Sequence, residues 1–97
     1  MKAKTNKNQF KGLRVVVVDN NDDSLKMISL YLKWLGANIK AVTSAKNAIN
    51  AIKSFQPELI ISDLFMPEED GYWLIKTIRE EHNKYIPAIA LTIASTN

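Results

Sequence analysis

The chain has 97 residues, 46% hydrophobic and 24% charged, a balance that fits one globular domain and excludes a disordered chain, a collagen-like repeat or a supercharged binder. It contains no cysteine, which removes disulfides, thiolate metal sites and cysteine nucleophiles and points to a reducing, cytoplasmic setting. The net charge of +3 is unevenly spread: five of the 13 Lys and Arg residues lie in the first 14 positions, where there is no Asp or Glu, so the remainder of the chain has 8 cations against 10 acids. Residues 1–11 are therefore expected to be a disordered basic leader, solvated rather than a nucleic-acid tether, ahead of a mildly acidic domain over 12–97. The leader has no apolar stretch of the signal-peptide kind, and no apolar run approaches the roughly 20 residues of a membrane span, so no membrane contact is expected.

Leu13 to Val18 is a continuous, mostly β-branched run, the pattern of a strand buried on both faces of a parallel sheet. It ends in Asp19-Asn20-Asn21-Asp22-Asp23, where Asp22 and Asp23 with Ser24 offer N-cap and first-turn chemistry for a helix. In that helix Leu25, Ile28, Leu32 and Leu35 recur at helical spacing, and Gly36 suits the position just past its end. A second strand is expected over Asn38 to Val42. A second helix follows, capped by Thr43-Ser44, with Ala45, Ala48, Ile49 and Ile52 inward and Pro57 at its end. Glu58 to Ser62 reads as another buried strand closing on Asp63. A loop from Leu64 to Gly71 leads to a third helix with Leu74, Ile75 and Ile78 inward, and Pro87 opens a fourth strand, Ala88 to Thr92. The order β-α-β-α-β-α-β, with right-handed crossovers, predicts an α/β fold: a doubly wound parallel sheet with helices on both faces.

In such a sheet the ligand site lies beyond the carboxyl ends of the strands. Three of those ends are polar: Asp19-Asn20, Asp63 and Thr92. Carboxylates gathered in a small crevice require a compensating cation, and oxygen-only donors favour a hard divalent ion, so Mg²⁺ is expected. With the Thr92 hydroxyl and backbone N–H groups to hold an anion alongside, a carboxylate there is equipped to take up a phosphoryl group.

The segments VVVVDNNDD, ISDLFMPEEDGY and PAIALT resemble the receiver domains of two-component response regulators, and the likeness covers nearly the whole chain after residue 11. The middle segment is the specific one: an Asp ending an apolar strand, Pro four residues on, and Asp-Gly at seven and eight. The resemblance implies a flavodoxin-like sheet of strand order 2-1-3-4, Asp63 as phosphoacceptor, and a histidine kinase or phosphotransfer protein as donor. It further implies Mg²⁺ held by Asp19, Asn20, Asp63 and the carbonyl of Phe65, and Thr92 as the hydroxyl that turns toward the phosphoryl group. Pro67 and Gly71 would shape the loop after the acceptor. Such a module is not an enzyme beyond slow self-phosphorylation from a phosphodonor and self-dephosphorylation.

Two departures from the family pattern stand out. Asn20 occupies a position that is usually acidic, which lowers the charge of the metal site; Asp22 and Asp23 are better explained as helix-start residues than as its substitutes. The chain also stops after the fourth strand, where receivers continue with a helix, a fifth strand, its phosphate-contacting Lys and a final helix; Lys84 lies at the wrong end of the sheet to replace that Lys. A truncated receiver is expected, with a fragment of a longer regulator as the plainer alternative. A second stripe on the first helix (Met27, Leu30, Tyr31 and Trp34), together with the open fourth-strand edge, is expected to be buried in a homodimer. The competing function is a pseudo-receiver, an interaction module without phosphoryl chemistry. His82 has no second His to share a metal, and Tyr72-Trp73 fits either a partner surface or half-buried packing. Three scattered Gly give no phosphate loop, so nucleotide chemistry is not expected.

Overall fold

The structure, a computed structural model, describes residues 7–66, 68–81 and 85–91. Seven elements alternate: β1 (Arg14–Val18), α1 (Asp22–Trp34), β2 (Asn38–Val42), α2 (Ala45–Phe55), β3 (Leu59–Asp63), α3 (Gly71–Glu81) and β4 (Ala88–Leu91). The strands form one sheet in the order β2-β1-β3-β4, every neighbouring pair parallel, as the sequence predicts. Thr92, the expected end of β4, lies outside the described residues, as do Pro67, His82 and Lys84.

The β-branched run sets this arrangement. Val15, Val16, Val17 and Val18 are all 0% exposed, because β1 is central and covered on both faces. Val15 and Val17 pack with Leu25, Leu32, Leu35 and Ile61 under α1. Val16 and Val18 pack with Ala48, Ile52, Ile60, Leu74 and Ile78 under α2 and α3. Each fully buried Val contributes about 1.5–3 kcal/mol relative to an exposed one, so this short strand anchors both layers. No helix among the described residues is long and apolar enough to cross a membrane.

Helix ends correct the expected caps in detail. The N-cap of α1 is Asn21, whose side chain accepts the Ser24 N–H at 2.9 Å; Asp22 and Asp23 are first-turn residues that favour the positive end of the helix dipole. Ser44 caps α2 as predicted, accepting the Asn47 N–H at 3.1 Å. At the other end of α2, Gln56 adopts a left-handed conformation (φ 50°), and its carbonyl accepts a hydrogen bond from Arg14 Nε at 2.9 Å.

The leader expected over 1–11 is tied to the domain along its described part. Backbone N–H groups of Asn8, Phe10 and Gly12 donate to the carbonyls of Trp34, Leu35 and Gly36, and Phe10 is half-buried against the α1 side of the core. Gly36, with φ +94°, lets this happen: a Cβ there would come within 3.0 Å of the Lys11 Cα. Residues 7–12 thus form a set of turns held against the end of α1.

Among the described residues, one buried side-chain group is unsatisfied. Ser29 sits on the inward side of α1 between Leu25 and Leu32, 8% exposed, and its Oγ has no hydrogen-bond partner. Ser29→Ala is expected to stabilise the fold by about 1 kcal/mol, since it removes a desolvated hydroxyl and improves helix propensity. Urea unfolding checks this; an unchanged or lower midpoint would mean the hydroxyl is satisfied in solution.

Candidate functional site

Asp19 and Asp63 arrive at one place because β1 and β3 are adjacent and parallel, with Val18 in register with Ser62. The residue after each of these positions is therefore an Asp at the same carboxyl end of the sheet. Both line a cleft of about 230 Å³, with Asn21, Ser24, Phe65 and Leu91 completing its wall. Leu91 ends the described part of β4, so that strand also runs to the cleft.

The two carboxylates differ in setting. Asp19 is 3% exposed; its N–H continues the β1 ladder by donating to the Val42 carbonyl at 3.1 Å, and its Oδ1 accepts the Asn21 N–H at 2.9 Å. Asp63 is half-buried, the last residue of β3 rather than the first of the loop, and its Oδ1 accepts the Phe65 N–H at 3.0 Å. Burial pushes the Asp19 carboxyl above the usual aspartate range, the Asn21 N–H pulls it back, and the negative charge of Asp63 adds to the rise.

The remaining predicted site residues are placed as follows. Phe65 lines the cleft, with a residue exposure of 70%. Asn20 is exposed and absent from the cleft wall, and so are Asp22 and Asp23. Thr92 cannot be placed among the described residues. Sequence reasoning missed Asn21 and Ser24 as wall residues, although the strong preference of Asn for N-caps was a usable signal.

The Asp-Gly pair of the middle segment also has a local physical basis. The Asp70 side chain accepts the Trp73 N–H at 2.9 Å, and its carbonyl accepts the Leu74 N–H at 3.0 Å, which starts α3. Gly71 is buried and donates its N–H to the Leu64 carbonyl at 3.3 Å. A Cβ at Gly71 would collide with the carbonyl oxygen of Asp63. The absence of a side chain there is what allows α3 to begin directly against the backbone of Asp63.

Every polar side chain lining the cleft offers oxygen, with no sulfur or imidazole. Among the described residues no set of three or more His, Asp or Glu side chains converges to hold a metal. Two carboxylates supplemented by amide or carbonyl oxygen nevertheless fit Mg²⁺, which commonly takes one or two carboxylates and keeps several waters. The cost of ionising Asp19 beside Asp63 is the electrostatic deficit such a cation would relieve.

Residues 15–97 match the sequence family described as the response regulator receiver domain. Hybrid signal transduction histidine kinase D of Dictyostelium discoideum is 35% identical over 100 residues, covering 94% of this chain and 6% of that protein. An uncharacterized 14.6 kDa protein in the sodA1 3' region of Leptolyngbya boryana is 37% identical over 79 residues, covering 80% of this chain and 60% of that one. The chain thus spans less than two thirds of either relative. Among solved structures, the receiver domain of the histidine kinase CKI1 from Arabidopsis thaliana, complexed with Mg²⁺, matches with a TM-score of 0.79 at 25% identity, covering 94% of this chain and 75% of that one. A response regulator receiver protein from Pseudomonas putida matches with a TM-score of 0.77 at 31% identity, covering 82% and 67%.

Two outcomes are expected from this geometry. Asp19→Asn keeps an acceptor for the Asn21 N–H and removes a carboxylate whose ionised form is disfavoured in the fold. Because the folded-state pKa is raised, the penalty is fully present above that raised value and absent below the ordinary aspartate value of about 4. Thermal unfolding in the absence of divalent ions should therefore show the variant more stable at pH 7 and equal to the parent at pH 3; a gain that persists at pH 3 would point to another cause. Gly71→Ala is expected to destabilise by about 1–3 kcal/mol through forced displacement of the β3 end, and a urea midpoint matching the parent's would show that α3 can retreat without cost.

Proposed function

The chain belongs to the response regulator receiver domain family, and from that membership we propose that Asp63 accepts a phosphoryl group from the phosphohistidine of a histidine kinase or phosphotransfer protein. The observation that carries this is the meeting of Asp19 and Asp63 in one cleft at the carboxyl ends of adjacent strands. An Asp63 carboxylate oxygen attacks phosphorus in line, the phosphorus–nitrogen bond to the donor imidazole breaks, and the departing imidazole nitrogen takes up a proton. The Asp19 carboxylate, with Asn20, Asp63 and the Phe65 carbonyl, would hold Mg²⁺, which when bound neutralises charge on the phosphoryl oxygens. Thr92 is assigned the hydroxyl contact to the phosphoryl group. In this role the chain is a cytoplasmic signalling module rather than an enzyme.

The Phe65 N–H donated to Asp63 Oδ1 aims one oxygen, and the second oxygen is the better nucleophile for that reason. The apolar stripe of α1, expected to be buried between two copies, is exposed on the single chain, with Met27 at 71%, Leu30 at 57%, Tyr31 at 54% and Trp34 at 45%. It begins one turn from Ser24 in the cleft wall and offers a docking surface to the phosphodonor. Burial of the stripe between two copies is the alternative, and it would appear as a concentration-dependent dimer in sedimentation.

A second function, an interaction module without phosphoryl chemistry, is favoured by one observation: the residue at the usually acidic position, Asn20, is an amide and stands outside the cleft wall. Intact mass after incubation with a small-molecule phosphodonor separates the two. A Mg²⁺-dependent gain of one phosphoryl group, absent in Asp63→Asn, is expected. No gain under conditions that label an established receiver would favour the interaction module.

A further inference from the structure

At the opposite edge of the sheet from β4, β2 is paired on one side only among the described residues. The Asn38 N–H donates to the Leu13 carbonyl at 2.8 Å, and the Val42 carbonyl accepts the Asp19 N–H at 3.1 Å. Asn38, Lys40 and Val42 therefore turn their backbone groups to β1, and by alternation Ile39 and Ala41 turn theirs away from the sheet. Beside this edge runs a groove of about 460 Å³ between β2 and α2. Asn47, Asn50 and Ser54 line its α2 side, at helical spacing, and Lys40 and Thr43 line its β2 side. Among the described residues, the side-chain amides of Asn47 and Asn50 have no hydrogen-bond partner.

Charge narrows the choice of occupant. Residues 37–57 contain Lys40, Lys46 and Lys53 and no Asp or Glu. Lys46 is paired with Glu69 at 3.6 Å, while Lys40 and Lys53 have no ion-pair partner among the described residues. Lys40 is the middle residue of β2. Antiparallel pairing of two copies centred on this strand would set Lys40 against Lys40, and like charges directly opposed on one face are destabilising. The same lysine favours an acidic strand.

We propose that the outer edge of β2 and the adjoining flank of α2 form a docking groove for an extended acidic peptide segment, which adds to the sheet as a fifth strand. Its main chain pairs with the outward backbone groups of Ile39 and Ala41, its acidic side chains meet Lys40, and the Asn47 and Asn50 amides hydrogen-bond its exposed face. This site is separate from the phosphoacceptor cleft: their walls share no residue, although the Val42 carbonyl of one accepts the Asp19 N–H of the other. The inference stands whether or not Asp63 is phosphorylated.

The probe is an acetylated, amidated Val-Glu-Val-Glu-Val-Glu peptide titrated into the isotope-labelled protein and followed by amide chemical shifts and hydrogen exchange. Shifts are expected to concentrate on Ile39, Ala41, Thr43, Asn47 and Asn50, with slowed exchange at the Ile39 and Ala41 amides. Lys40→Glu is expected to weaken binding about tenfold by reversing the central charge, and Ala41→Pro to do the same by deleting an outward N–H that β1 does not use. A peptide N-methylated at alternate residues tests the same main-chain pairing from the other side, so the result survives if Ala41→Pro folds poorly. Equal binding of a Val-Lys-Val-Lys-Val-Lys peptide, equal binding of the N-methylated peptide, shifts centred elsewhere or no binding at millimolar peptide would each overturn the proposal. So would a dimer, seen in sedimentation, that the neutral variant Lys40→Gln strengthens.

Discussion

The structure depends on one strand being dry on both sides. Four consecutive valines of β1 are fully buried, two beneath α1 and two beneath α2 and α3. A parallel strand of this kind has no polar face on which to release strain or admit water, so burial continues to its end and includes Asp19. The elevated pKa of that carboxyl follows from where the apolar run stops, with the neighbouring Asp63 charge adding to it. The fold creates an unfavourable charge in the crevice at the carboxyl ends of β1 and β3, and a ligand that supplies positive charge regains the difference.

The second constraint is the contact between α3 and β3. With a Gly at the first helical position, the helix start lies against the carbonyl of Asp63, and the Asp70 cap and the Gly71–Leu64 hydrogen bond hold it there. The backbone of Asp63 is thereby fixed by two elements, while its side chain is left half-buried and oriented by the Phe65 N–H. A rigid main chain carrying an accessible carboxylate suits the proposed role, in which Asp63 meets a large donor without rearranging the sheet. The Lys46–Glu69 pair ties the same loop to α2, but both partners are partly solvated and the contact adds little.

Most of the fold was legible because its signals are local and repeated. Continuous apolar runs marked β1 and β3, and the inward positions of α1 and α2 followed helical spacing to the core. The exposed stripe from Met27 to Trp34 was also visible as apolar residues on the wrong face. What escaped were contacts set by tertiary geometry. Whether Asn21 or Asp22 caps α1 differs by a single residue of helix phase, and it decides that Asn21, not Asn20, reaches the cleft wall. The docking of residues 7–12 had one faint signal, Phe10 in a polar segment, and becomes intelligible only when Gly36 is seen to admit the Lys11 backbone. Asp63 and Asp19 could be named from strand ends, but their shared cleft required the β1–β3 register.

The substitution at position 20 then takes on a definite electrostatic meaning. A third carboxylate would increase attraction for a divalent ion and, without the ion, would also increase repulsion within the crevice. With an amide there, the apo site carries two acidic groups, and the disfavoured ionisation of Asp19 is relieved by one cation rather than shared among three anions. On the proposed function, metal affinity therefore leans on the buried Asp19, whose position the valine strand fixes, more than on the exposed residue beside it. The part of the site most resistant to displacement is the part the core itself holds, so on that same proposal an amide at position 20 weakens metal binding while the Asp19–Asp63 cleft stays in place.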